Sequence, residues 1–383
     1  MSKSKKIFFV SLALFCVSLF FFGVYNIVFK KTVVPVNQSA QNKAVLEKKP
    51  AEVAKISQSA ILPISSEAIL APVIISNTDT LKYYSQTNGQ VYQIDFNGNN
   101  KKNLSDKTLT GLTGVLWSPD KNKVITSFAR NGGIDFYYYD YGSQKSAPIK
   151  KNVDAIAWQN TGNRIFYKYY DSKTKKRTLN ISDPDGSNWL KLTDVDFRDV
   201  SIAQIPASGL ISFWNKPDAF FPTALKTISL IGGDAKDIFS GVFGADYLWN
   251  NNGTNALVSN SDKKGGTKMQ LSVINENGGE LKNLDIATLV SKCAWLSDNK
   301  NIICAVPGEI PANSIMPNDY DSGKIHTADT FWKINTQTGE KSAVIDVSKI
   351  DKNYDATNLF FNLDESILFF QNRTDGKLYR MAL

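Results

Sequence analysis

Acid–base or metal chemistry has few places to sit in this sequence. It holds one histidine, His326, so multi-histidine metal sites are excluded and a Ser-His-Asp triad would have to use that one ring. No Gly-x-Ser-x-Gly, phosphate-binding loop or Cys-x-x-Cys occurs. His326 lacks a motif partner and reads as a solvated loop residue. Carboxylate pairs need no histidine, and two acids at a channel mouth could cleave a glycoside. Most aspartates, however, occupy turn positions, as in Asp183-Pro-Asp-Gly186. No cofactor or metal is expected, and the balance favours a non-enzymatic binding module over a carboxylate-dependent carbohydrate-active enzyme.

Two segments read as a contact surface. The first is Trp214 through Pro222, a Pro-rich connection carrying Trp214, Phe220 and Phe221. The second is an insertion around Pro307–Asp329. It offers Ile310, Ile315, Met316 and Tyr320 as an apolar contact core, with Glu309, Asp319, Asp321 and Asp329 as a polar rim. The spacing Asp319-x-Asp321-x-Gly323 is a fragment of a calcium loop, short of the six to eight oxygens that ion takes. The aromatic run Phe136–Tyr141 could stack sugars, but reads first as core on both faces of a strand.

What must position these residues is a repeat. Trp117-Ser-Pro-Asp is followed, seven positions after the tryptophan, by the apolar Val124, as two strands joined by a short turn require. The same spacing pairs Ile74 with Leu81, Trp158 with Ile165, Gln204 with Ile211, Trp249 with Ala256, Trp295 with Ile302 and Phe361 with Leu368. A further strand and a glycine turn then follow, as at Gly98, Gly186, Gly278 and Gly339. A period in the forties with this content predicts an all-β, seven-bladed β-propeller. The residues resemble the WD-type repeat of TolB-like propellers from about residue 54 to 383, a resemblance that implies blade geometry and no chemistry.

From anchor to glycine turn, the five blades before the sixth take 24 to 29 residues, while Trp295 to Gly339 takes 44. The extra length is the insertion, between second and third strands, and loops of that length are usually functional. The last repeat ends in its third strand at Leu383, so residues 54–58 are expected to supply the missing outer strand and leave no open edge. Cys293 falls opposite Cys304. Opposed Cβ atoms lie about 4.5 to 5.5 Å apart and a disulfide wants roughly 3.5 to 4.5 Å, which leaves the bond open.

Ahead of the propeller, residues 1–6 carry Lys3, Lys5 and Lys6, and Ile7 to Phe29 is an uncharged apolar run of 23 residues. About 20 residues cross a bilayer as a helix. A cleaved secretory signal is the alternative, but it has a shorter apolar core and a small-residue site, and no Ala-x-Ala precedes Lys30. The expectation is a single-pass signal anchor over 7–29 with residues 1–6 inside, a tether over 30–53, and a propeller over 54–383 outside the cytoplasm. The net charge of +8 sits mostly on the first 70 residues, where nine lysines face three glutamates. The propeller is nearly neutral, which gives no support to nucleic-acid binding and leaves a protein or cell-envelope polymer as partner.

Overall fold

The computed structural model describes residues 60–131 and 133–383, and nearly all of its regular structure is β. The expected stub, anchor, tether and 54–58 strand lie outside the described residues. Among the described residues no helix is long and apolar enough to cross a membrane.

The chain forms antiparallel meanders. β1 (Ile61–Pro63) is followed by a sheet of β2 (Ile69–Ile74), β3 (Thr80–Ser85), β4 (Val91–Asp95) and β5 (Lys102–Ser105). The second sheet is β6 (Leu112–Trp117), β7 (Lys123–Arg130), β8 (Gly133–Asp140) and β9 (Lys145–Pro148). The third is β10 (Val153–Trp158), β11 (Ile165–Tyr170), β12 (Arg177–Ser182) and β13 (Leu190–Asp194). A seven-stranded sheet then runs through β14 (Val200–Gln204), β15 (Leu210–Asn215), β16 (Pro222–Ser229), β17 (Lys236–Trp249), β18 (Asn255–Ser261), β19 (Met269–Asn275) and β20 (Lys282–Asn283). It is two meanders fused, because β17 pairs with β16 over Lys236–Phe243 and with β18 over Phe243–Trp249. Next come β21 (Cys293–Trp295), β22 (Asn301–Pro307), β23 (Asp329–Asn335) and β24 (Lys341–Ala343). The last sheet is β25 (Ala356–Phe361), β26 (Ile367–Asn372), β27 (Leu378–Ala382) and, as its outer strand, β1.

Every anchor pair read from the sequence is a directly opposed pair across its hairpin: Ile74 with Leu81, Trp117 with Val124, Trp158 with Ile165, Gln204 with Ile211, Trp249 with Ala256, Trp295 with Ile302 and Phe361 with Leu368. The turns differ in sequence because they share a backbone requirement instead. The fourth residue past the anchor takes a positive φ at Lys121, Gly162, Gly253, Asn299 and Glu365. The tryptophans tie successive meanders together. Trp117 Nε1 donates to the carbonyl of Ala71, Trp158 Nε1 to that of Leu116 and Trp295 Nε1 to that of Leu248, each on the first strand of the preceding meander.

Seven buried clusters join neighbouring meanders in succession, and the last to the first: Phe369 and Leu378 pack with Ile69, Leu81 and Tyr83. Closure by an N-terminal strand stands, but the strand is Ile61–Pro63, paired with Met381, Arg380 and Tyr379, rather than residues 54–58. Apolar Ile61 decides this register, because its side chain is buried in the cluster between the last two sheets. Cys293 and Cys304 face each other on β21 and β22 and are joined by a disulfide, with a Cα–Cα distance of 4.1 Å. Non-hydrogen-bonded pairs approach to about 4.5 Å between Cα atoms with their side chains closer still, so the strand pairing accommodates the bond.

A chain that begins at Ser66 lacks β1, and it is expected to melt below one that begins at Ala51. Within the full chain, Ile61→Ala is expected to lose about 2 to 5 kcal/mol in urea unfolding. Equal midpoints for the two lengths would remove β1 from the ring.

Candidate functional site

The insertion between β22 and β23 is ordered and folded onto the neighbouring loops. Its one helical turn, α1 (Asn318–Asp321), follows Met316 and Pro317. Met316 and Tyr320 are buried with Met269 and Leu289, and Ile310 and Ile325 pack against them. Polar contacts bind it on two further sides. Met316 N donates to Gly266 O at 3.0 Å and Thr267 Oγ1 to Ser314 O at 2.8 Å. Asn318 spans the connection after β15, accepting from Ala219 N at 2.8 Å and donating to Asp218 Oδ1 at 3.0 Å.

Beneath the insertion lies a buried charge network. Lys292 Nζ, wholly inaccessible, donates to Asp329 Oδ2 at 2.7 Å, Asp355 Oδ1 at 2.8 Å, Thr327 Oγ1 at 2.8 Å and the Ala356 carbonyl at 3.0 Å. Asp355 also accepts from Tyr320 Oη at 2.8 Å and Thr327 Oγ1 at 3.0 Å, and its Oδ2 lies 2.9 Å from His326 Nδ1. Burial pushes the Asp355 carboxyl up, but the Lys292 ammonium and the hydrogen bonds from Lys292, Tyr320 and His326 outweigh it and hold it down at about 2. Asp329 goes the other way, because burial outweighs Lys292 there, and its Oδ1 has no hydrogen-bond partner. Arg373 closes the network from β26's end, donating to the Tyr320 carbonyl at 2.9 Å and lying 4.0 Å from its ring centroid.

These contacts relocate several residues of the expected surface. Trp214 belongs to β15 and is 4% exposed, with Nε1 donating to Asp246 Oδ1 at 2.9 Å. The Pro-rich connection is therefore shorter than the sequence suggested. Met316 and Tyr320 are internal core, which removes them from an exposed contact surface, and Ile310 and Ile315 are half-buried. The carboxylate of Asp319 accepts from Ile315 N and Lys324 Nζ, so the calcium-loop fragment is occupied within the loop itself. Among the described residues no group of three or more His, Cys, Asp or Glu side chains is placed to hold a metal. Still outward are Glu309, Asp321, Phe220, which lies against Gly265, and Phe221, the two rings being 42% and 64% exposed.

Sequence reasoning missed three features here. A cavity of about 730 Å³ opens between the insertion, at Pro307, Ile310 and Ala312, and the Asp262–Gln270 segment. His326 is not simply solvated, since its half-exposed ring is oriented by Asp355. Asp246 is pushed up to about 6 by burial, with Asp321 adding to the effect and hydrogen bonds from Trp214 and Tyr247 N–H opposing it. The period of the repeat could have flagged Asp246, because it lies three residues before an anchor, on an inner strand.

No protein family and no curated protein matches this sequence. Solved structures do. Oligogalacturonate lyase from Vibrio parahaemolyticus aligns at TM-score 0.58 and 9% identity, over 85% of this chain and 91% of that one. The β-propeller domain of the Trilobed protease from Pyrococcus furiosus aligns at 0.52 and 12%, over 82% and 92%. Tricorn protease aligns at 0.55 and 13%, over 84% of this chain but 34% of its own, so the chain spans about a third of that enzyme. The fold is a β-propeller. At these identities the likeness concerns fold alone. It nevertheless overturns the expectation of a non-enzymatic chain, which rested on the single histidine and the absence of catalytic motifs, because the same fold recurs in a lyase and in proteases.

Lys292→Ala would leave two buried carboxylates facing each other, and is expected to lose about 3 to 5 kcal/mol of stability. Asp355 has a folded value near 2, below its unfolded one, so its contribution is present above about pH 4 and fades as pH falls through 2. Asp246 has a folded value near 6, above its unfolded one, so stability gains as pH falls from about 7 to about 4. Asp246→Asn is expected to remove that gain. An unchanged pH profile in urea unfolding would show Asp246 ionising normally.

Proposed function

We propose that the chain is a membrane-anchored, extracytoplasmic, seven-bladed propeller that binds a protein or a cell-envelope polymer on the face carrying the insertion. The blade count is supported by seven anchor pairs and seven inter-meander clusters. The anchor rests on the apolar run Ile7–Phe29. The observation that carries the binding role is the fixing of the insertion between β22 and β23 by a buried ion network. A loop fixed on three sides presents its outer residues with little ordering entropy left to lose, which favours binding. Phe220 and Phe221 then supply apolar area, Glu309 and Asp321 a polar rim, and the adjoining cavity a recess.

One observation favours a second reading, acid–base chemistry on a polysaccharide at the channel mouth. Asp246, raised to about 6 on an inner strand, is suited to give a proton near neutral pH. Under that reading Asp246→Asn abolishes turnover while leaving binding intact.

A membrane-impermeant crosslinker added to intact cells or spheroplasts expressing the full chain is expected to trap the partner on the propeller. Phe220→Ser with Phe221→Ser is expected to reduce that yield at least about tenfold, a loss of roughly 1.4 kcal/mol or more. Undiminished capture of the same partner by the double variant would sink the assignment of this face.

A further inference from the structure

A second site lies on the other side of the ring, between the first two sheets. Tyr137 and Tyr139 occupy alternate positions of β8 and so share one face, with Tyr141 just past the strand's end, while Phe136 on the opposite face is buried against the third sheet. Phe136 is core, whereas Tyr137, Tyr139 and Tyr141 are only half-buried, Tyr139 and Tyr141 packing at the edge of the cluster between the first two sheets. The cluster between the first and second sheets fully buries four residues, Tyr84, Val91, Trp117 and Val124, whereas the other six inter-meander clusters bury from six to fourteen. The missing volume is a cleft of about 620 Å³ between Leu104 on β5, Phe128 on β7 and the three tyrosines.

This cleft is built rather than merely underfilled. Its rings are held in fixed orientations: Tyr141 stacks on Trp117 at 5.6 Å, Tyr139 meets Tyr141 edge-on at 5.0 Å, and Phe128 meets Tyr137 edge-on at 5.6 Å. Two hydroxyls are pinned as well. Tyr141 Oη lies 2.6 Å from Tyr84 Oη, and Tyr137 Oη accepts from Arg130 Nη2 at 2.8 Å, while Arg130 Nε is paired with Asp135 at 2.7 Å. Three polar groups of the lining, Tyr139 Oη, Lys107 Nζ and the Gln144 amide, form no hydrogen bond to another described residue. No carboxylate lines the cleft. An interface made only to close the ring would fill such a gap with aliphatic side chains at crystal-like density. Rigid aromatic faces ringed by unused donors form the other kind of site, concave and largely preformed.

We propose that this cleft binds a carbohydrate chain. A pyranose has an apolar C–H face that lies against an aromatic ring, and a rim of hydroxyls that takes donors such as Lys107, Gln144 and Tyr139. A lipid tail would leave those donors unpaired in an apolar site, which disfavours it. The near-neutral propeller and single unpaired cation disfavour nucleic acid. The site shares no residue with the insertion face, so binding here is independent of the partner assigned there.

The test is isothermal titration of the full chain in detergent with two probes, neutral chitohexaose and acidic hexagalacturonate. At least one is expected to bind with a Kd below about 1 mM, equivalent to roughly −4 kcal/mol. Tyr139→Ala and Lys107→Glu are each expected to weaken that binding at least fivefold, and Phe220→Ser with Phe221→Ser to leave it unchanged. Lys107 is exposed, so its variant keeps the measurement interpretable should Tyr139→Ala fail to fold. No heat from either probe overturns the proposal, as does wild-type affinity in the Lys107→Glu and Tyr139→Ala variants.

Discussion

Each meander of this chain is apolar on both faces, and neither face can be left in water. A stack of such sheets always has two uncovered ends unless it curves until the last covers the first. Here the ends meet where Phe369 and Leu378 pack against Ile69, Leu81 and Tyr83. The seam is completed in backbone hydrogen bonds by β1 on β27. Exposed edges invite pairing with other chains, and using the segment just before the first meander removes the edge that the last one would otherwise present. Everything else depends on that closure, because the buried Lys292 network and the insertion above it span the sixth and last meanders.

The Lys292 network is a poor source of net stability, since desolvating one ammonium and two carboxylates offsets much of their attraction. Its value is specificity. Lys292 precedes β21, Asp329 opens β23, Asp355 precedes β25, and Tyr320, His326 and Thr327 come from the insertion. These contacts join four segments through one ammonium and two carboxylates, so the network fixes the insertion against the sheets. The disulfide between Cys293 and Cys304 begins at the residue that follows Lys292 and constrains the network's base. Asp329 Oδ1 is the one buried oxygen of the network left unsatisfied.

Much of the fold was legible because its determinants are local. Seven anchor pairs at a spacing of seven follow from strand alternation and short turns, and all seven are opposed in the structure. The closing strand was misplaced because residues 54–58 and Ile61–Pro63 are both short β-compatible stretches, and only long-range burial of Ile61 separates them. Site residues were harder for a related reason. Trp214, Met316 and Tyr320 are large apolar residues near prolines, and such residues look alike whether they face a partner or the protein's own interior. The pairing of His326 with Asp355 spans 29 residues and a strand pair, so no spacing rule announces it.

The two halves of the ring are held together by different interactions. The fourth through last meanders carry the fused β17 sheet, the disulfide, the ion network and the largest buried cluster. The first and second share the cluster with the fewest fully buried residues, where tyrosine rings and their hydroxyls add to a half-buried aliphatic shell. Aliphatic interiors are close-packed and exclude water, so a site placed among them must displace volume that stabilises the fold. Tyrosine can brace an interface from its edge while leaving a ring face and a hydroxyl to the solvent. An interface built that way keeps its geometry without a ligand, which is why the gap between the first two sheets can persist as a preformed cleft.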